Sequence, residues 1–355
     1  MKKIIILIIA VILLVLICAL GTYKILTMPV SKSIEEKEIV IPMGSGASQI
    51  GAILKENNLI KSKLAFKMYV KLHKVSNFQA GTYYLKESMD LKQITEMLQT
   101  GKMYDSNQIT LTYLEGKPIW WLVKTISAKT NNKEEDIYAL LENEEYIDTL
   151  IEKYWFITDE IKNKDIYYPL EGYLFPDTYA IANKDTKPEE IFEKMLDKME
   201  SVLEPYKEEI EESKYNVHEL LTLASIIETE GTNDNDRKNV ASVFYNRLDA
   251  GMSLGSDVTT YYSVKEDIGK RDLYQKEIDA YNPYNTRGPN MEGKLPVGPI
   301  SSVGKASIEA AIEPSKTDYL FFVADKNGKL YFTKTNTEHV QVINELQNSG
   351  MWYEY

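Results

Sequence analysis

One cysteine, Cys18, stands in 355 residues, and it lies inside the first apolar run. No disulfide can close within the chain and no cysteine-rich metal site can form, so stability has to come from packing. Histidine is scarce as well. His73, His218 and His339 are scattered in sequence, which predicts surface or helix roles and no metal. An excess of positive charge is missing. Lys and Arg total 41 against 53 Asp and Glu, a net charge of -12, which argues against a nucleic-acid partner. Tryptophan is sparse at 4 residues, but tyrosine reaches 25. A tyrosine ring suits both an ordinary core and a sugar-binding wall. With 44% hydrophobic and 26% charged residues the chain is globular, and its length predicts two or three domains.

Long runs of purely apolar residues are absent except at the start. Residues 4–21 carry no charge, at the lower edge of what crosses a bilayer as a helix. Thr22 and Tyr23 extend the run into the interface and Lys24 closes it. Lys2 and Lys3 precede it, which favours a cytoplasmic amino end. A cleaved signal peptide competes, but Ala19-Leu20-Gly21 only half fits a cleavage site. Bulky Leu16-Ile17 before Cys18 exclude a lipoprotein. The expectation is an uncleaved single-span anchor, membrane-embedded through residues 4–23, with the bulk of the chain on the extracytoplasmic side.

After a polar stalk (residues 25–37), residues 38–103 read as strand, helix, helix, strand and a further helix. The strand is EIVIP (38–42), and Gly44-Ser45-Gly46 is a turn with Ser45 or Ser48 available to cap a helix. Phe66, Tyr69 and Val70 mark the second helix, GTYYL (81–85) the returning strand. Asp90 starts a third helix that ends at Gly101. This order resembles a LysM-type glycan-binding module.

Residues 104–213 form a connecting region. QITLTY (108–113) is a strand, and Ile119, Trp120 and Leu122 open a helix. Residues 131–154 are charged and helical in pattern, which predicts a solvated outer face. Residues 168–179 pack two prolines, a glycine and four aromatics into one irregular stretch, either a cleft wall or a linker pinned to the core. Residues 187–213 are helical, with Ile191, Phe192, Met195 and Leu196 inward.

Residues 214–355 carry the chemistry. Asn216 is a plausible N-cap, and Leu220, Leu223, Ala224 and Ile227 fall on one helical face. Glu228 and Glu230 sit about 200° apart on that helix, at roughly 100° per residue. They flank the stripe from opposite sides, so at most one does chemistry and the other has a structural partner. Gly231 reads as the C′ residue, which puts Glu230 near the helix end. The dipole and apolar neighbours there both raise a carboxyl's pKa, as a general acid requires. The alternative is a salt bridge from Glu230 to Arg237, Lys238 or Arg247. Asp236 can cap a second helix bearing Val240, Val243, Phe244 and Leu248, which Gly251 ends. Residues 281–304 are too rich in Gly, Pro and Asn for a helix, as binding walls often are. A short helix (305–312), a hairpin through Asn327-Gly328 and a closing helix (337–346) complete the chain.

Seven segments carry a resemblance: ASIIETEG (224–231), RKNVASVFYNRL (237–248), EGYLFPDTY (171–179), SDVT (256–259), YNT (284–286), LPVGPI (295–300) and DYLFFVAD (318–325). These segments follow one another along the chain in the family's order, and from about Glu38 to its end the chain resembles the MltG (YceG-like) endolytic transglycosylases of bacterial cell walls. Val258 departs from the family's usual Pro, and Ser302-Val303 from its Asn-Pro. The resemblance implies an α+β protein with a single transmembrane helix, a small LysM-like subdomain and a larger catalytic domain. It maps the catalytic acid to Glu230 and the other acid, of possible supporting role, to Glu228. Candidates for holding the sugars are Tyr173, Asn246, Arg247, Asp257, Thr259, Tyr284 and Asn285.

The implied reaction cleaves the bond from N-acetylmuramic acid to N-acetylglucosamine in peptidoglycan strands and leaves 1,6-anhydro ends, terminating nascent strands. One acid suffices because the muramic C6 hydroxyl is the nucleophile, where ordinary glycosidases need two carboxylates. No cofactor is expected, and peptidoglycan synthases are the partners that the resemblance implies. Two other readings stay open: a muramidase using Glu228 or Asp257 as second carboxylate, and a non-catalytic glycan-binding scaffold.

Overall fold

The computed structural model describes residues 21–101 and 109–352. The span expected at residues 4–23 lies, save for its last three residues, outside them. Among the described residues no helix is long and apolar enough to cross a membrane. The protein is mixed α+β and divides into two compact units, residues 1–108 and 109–355.

In the first unit, β1 (Glu36–Ile41) pairs antiparallel with β2 (Gly81–Lys86) from Glu36↔Lys86 to Ile41↔Gly81. Strand alternation turns Ile39, Ile41, Tyr83 and Leu85 inward. They meet α1 (Ala47–Glu56), α2 (Lys63–Leu72) and α3 (Leu91–Thr100) through Ile50, Leu54, Phe66, Ile94 and Leu98. Asp90 and Gln93 form the capping box of α3, and Gly101 ends it at φ +64. Neither Ser45 nor Ser48 caps α1; Gly46 holds that position without a side-chain bond. The stalk is not free either. The amides of Val30 and Ser31 donate to Glu87 O, and that of Ser88 donates to Ser33 O.

The second unit holds β3 (Ile109–Thr112), α4 (Ile119–Lys129), α5 (Glu134–Leu141), α6 (Glu144–Lys153), β4 (Thr178–Ile181), α7 (Pro188–Leu203) and α8 (Lys207–Glu212). After these come α9 (Val217–Glu230), α10 (Asp234–Asp249), α11 (Asp257–Ser263), α12 (Gln275–Ile278), α13 (Lys305–Ile312), β5 (Phe321–Ala324), β6 (Leu330–Thr333) and α14 (Asn336–Asn348). Its sheets are two antiparallel pairs, β3 with β4 and β5 with β6, the latter turning at Gly328 with φ +79. One core runs through residues on both sides of position 213.

The charged stretch 131–154 is not merely an outer face. Ile137, Leu141, Ile147, Leu150 and Tyr154 are buried in that core while the acids between them face water. The irregular stretch at 168–179 is pinned inward, with residues 170–176 all buried. The helix α9 is enclosed all round from Leu220 to Glu228, not along one stripe. It packs against α10, α11 and α13. Its polar members find partners there. Thr222 Oγ1 donates to His218 O, and Ser225 Oγ donates to Thr222 O while accepting from Ile300 N.

Candidate active site

Asn216 starts α9 with a capping box. Its side chain accepts from Glu219 N, and Glu219 Oε2 accepts from Asn216 N, a pairing worth about 1 kcal/mol. Fourteen residues on, the helix delivers its two acids to different surroundings.

Glu228 is buried and structural in its contacts. Its Oε2 accepts from Gly304 N at 2.9 Å and its Oε1 meets Arg237 Nη2 at 3.3 Å. Glu115 crowds the same place, and its carboxyl is raised by burial first and then by the charge of Glu228, against Arg237. The expected partner Arg237 therefore serves Glu228, not Glu230.

Glu230 keeps some exposed surface at the end of α9. Its Oε1 accepts from Ser256 Oγ at 2.6 Å, and its other oxygen has no hydrogen-bond partner among the described residues. Burial raises the carboxyl's pKa. The Ser256 bond opposes this, Asp257 adds to it, and the Arg287 and Arg247 charges pull it down. Gly231 is not a left-handed cap, since its φ is -89 and its ψ 130. It is glycine because a Cβ there would lie 2.5 Å from Arg237 Cγ and 3.0 Å from Arg237 Cα. Nor does Asp236 cap α10; Asn233 does, accepting from Asp236 N, while Asp236 Oδ2 takes the Thr232 hydroxyl.

Ser256 stands at the N-cap position of α11 but makes no capping bond, because its hydroxyl turns to Glu230. A small network fixes it. Thr286 Oγ1 accepts from Ser256 N, Thr259 Oγ1 donates to Ser256 O, and the two threonine hydroxyls lie 2.8 Å apart.

Several candidate sugar ligands have their side chains bonded within the fold. Tyr173 and Tyr284 are fully buried, the first bonded to His218 Nδ1 and the second accepting from Tyr167 N. Thr259 and Asn285 are also fully buried. The Asn285 amide donates to the carbonyls of Glu277, Ile278 and Ala280, and its oxygen accepts from Thr260 Oγ1. Asn246 donates to the carbonyls of Thr317 and Tyr319. The first four are enclosed, whereas Asn246 is half-exposed and commits its amide group to the chain. Asp257 and Arg247 do stay beside Glu230. Asp257 forms an ion pair with Arg287, and Arg247 donates to Leu320 O and Leu254 O.

A cavity of about 210 Å³ abuts this helix end, lined by Trp120, Trp121, Thr229, Val258, Tyr262 and Ile300 among others. The departure Val258 thus becomes part of its wall. The other departure, Ser302, ties its loop to the 114–117 turn, donating to Leu114 O and accepting from Lys117 N. Behind the cavity lies Glu171, which sequence reasoning did not single out. It is 1% exposed, accepts from Ile119 N and Tyr262 Oη on Oε2, and leaves Oε1 without a hydrogen-bond partner among the described residues. Burial pushes its carboxyl up to about 8. Ser256 and Arg287 were missed as well; Ser256 opens the quoted SDVT segment, so a signal existed, but its partner lies 26 residues away. No cluster of His, Cys, Asp and Glu suited to a metal occurs among the described residues.

The profile of the YceG-like family matches residues 39–345. A Bacillus subtilis protein named endolytic murein transglycosylase is 42% identical over 318 residues, 89% of this chain and 86% of that protein. A protein of the same name from Streptococcus pneumoniae serotype 2 is 33% identical over 88% of this chain, which spans only 58% of that longer relative. The crystal structure of a yceG-like protein from Listeria monocytogenes superposes with TM-score 0.62 at 37% identity, covering 87% of this chain and all of that one.

Proposed function

This chain belongs to the YceG-like family, and on that premise we propose that it is a lytic transglycosylase that cuts peptidoglycan strands internally. One observation carries the assignment of the acid. Glu230 is held by a single hydroxyl and keeps an oxygen uncommitted, whereas Glu228 and Asp257 are both tied to arginines. A muramidase needs a second free carboxylate, and neither neighbour offers one.

Glu230, whose carboxyl burial raises above its ordinary range, donates a proton to the oxygen between N-acetylmuramic acid and N-acetylglucosamine. The muramic C6 hydroxyl attacks C1 of the same sugar, and Glu230, now a carboxylate, takes the hydroxyl proton. The bond to the leaving sugar breaks, a 1,6-anhydro ring forms, and the acid is regenerated without water. Ser256 steadies the carboxylate between the two steps. Residues 4–23 anchor the chain in the cell membrane with the amino end inside. The strand-helix-helix-strand unit acts as a LysM-like glycan contact, residues 214–355 carry the catalytic groups, and peptidoglycan synthases are neighbours.

Mass spectrometry of products from uncrosslinked glycan strands tests the reaction. Anhydro ends from the parent and none from Glu230→Gln are expected. Reducing ends would replace the lyase by a hydrolase, and equal cleavage by both proteins would move the acid elsewhere. Binding without cleavage by the parent would leave a scaffold.

A further inference from the structure

The outward face of α2 is neither plainly polar nor covered. Leu64, Met68 and Leu72, spaced four residues apart, are 69%, 44% and 65% exposed. Lys67 and Lys71 share that exposed face, and neither has an ion pair among the described residues; Lys63 pairs with Glu56 at the helix start. The segment 61–74 contains Lys61, Lys63, Lys67, Lys71 and Lys74 and no acid, in a chain whose net charge is -12. A stripe of large apolar side chains set among unpaired ammonium groups fits a surface that is apolar below and anionic above. Lipid headgroups over acyl chains have that profile, with each lysine stem lying along the apolar layer and its charge at the phosphates.

The position of the face selects the same partner. Residues 21–27 are helical and carry the end of the uncharged run past Lys24. Lys61 Nζ donates to Ile25 O at 3.1 Å, so the start of α2 lies against that segment. Tyr69 of α2 has a hydroxyl pushed up mainly by burial, with Tyr23 among its lesser neighbours. Because residues 30–33 are bonded to the 87–88 turn, no slack chain separates this unit from the end of the run. We propose that the Leu64–Met68–Leu72 face of α2, with Lys67 and Lys71, docks on the anionic headgroups of the bilayer that holds the chain. The inference rests on the membrane anchor proposed above.

The test uses the full chain, with Cys18→Ala and Met68→Cys, carrying a polarity-sensitive fluorophore at position 68. It is reconstituted in vesicles of phosphatidylglycerol with phosphatidylcholine, or of phosphatidylcholine alone, with a quencher on the lipid. Docking gives a blue-shifted label quenched several-fold more in the anionic vesicles. Adding Lys67→Glu and Lys71→Glu returns the label to water, while circular dichroism reports an unchanged fold. A second label at Leu72→Cys repeats the reading should position 68 disturb packing. A water-like label in both vesicles, or equal quenching in the two, overturns the proposal. So does a label that responds to isolated wall polymer and not to lipid. Failure of the anchor itself is seen separately, as a chain that does not float with vesicles after carbonate extraction.

Discussion

The Ser256 hydroxyl donates to Oε1 of Glu230 across 2.6 Å, joining the end of α9 to the start of α11. A hydrogen bond of this kind favours the carboxylate, so it lowers a pKa that burial raises. Ser256→Ala removes only the lowering contribution. The carboxyl then holds its proton to higher pH, and the alkaline limb of the kcat/KM profile for strand cleavage moves upward. A pH–rate profile checks it; a limb that stays put or moves down would dissociate Ser256 from the titration of Glu230.

Glu230→Gln keeps the acceptor for Ser256 but cannot give a proton. Strand cleavage is expected to fall about 10²- to 10⁴-fold, the usual contribution of a general acid. The melting temperature should hardly change, which separates this variant from a folding defect.

Glu228→Ala has the opposite signature. It leaves Arg237 and Gly304 N without their buried partner, a loss of about 3 kcal/mol. Tm should drop by roughly 6–12 °C for a unit of this size, measured by calorimetry. Activity at low temperature should survive better than in Glu230→Gln.

Glu171 gives a pH dependence of stability with a defined sign. Its folded pKa of about 8 exceeds the ordinary 4.5 of the unfolded chain, so the folded state binds the proton more tightly. Stability from this group is therefore greatest below pH 4.5 and is lost as pH rises toward 8, on the order of a few kcal/mol. Glu171→Gln removes the titration. Its Tm relative to the parent should improve steadily across that window, and a constant difference would show that Glu171 does not titrate there.

Gly231→Ala tests crowding. The backbone at Gly231 is one that alanine adopts freely, so no conformational cost arises. The added methyl meets Arg237 at Cγ and Cα, which have no room to withdraw without moving α10. A loss of about 1–3 kcal/mol is expected, by denaturant unfolding.

What could be read from the chain beforehand was local. Asp90 and Asn216 announce helix starts because an N-cap is a contact within four residues, and Gly328 announces a hairpin because only its own φ is at stake. The pair Glu228 and Glu230 separated correctly because helical spacing alone puts them on different sides. The misreadings involve distant partners. Gly231 is explained by Arg237 packing behind it, not by its own dihedrals. Asn285 and Tyr284 looked like sugar ligands because polar and aromatic residues in a Gly/Pro-rich loop commonly are. Their hydrogen bonds to residues 277–280 and 167 become apparent only once the loop folds back.

The enclosure of the middle of α9 also has a kinetic meaning. The stretch from Leu220 to Glu228, with no solvent-facing stripe, cannot fray or slide independently of its neighbours. Its amide hydrogens should exchange with deuterium only when the whole second unit opens. Heat inactivation and global unfolding should then trace a single curve, with no active-site melting ahead of it.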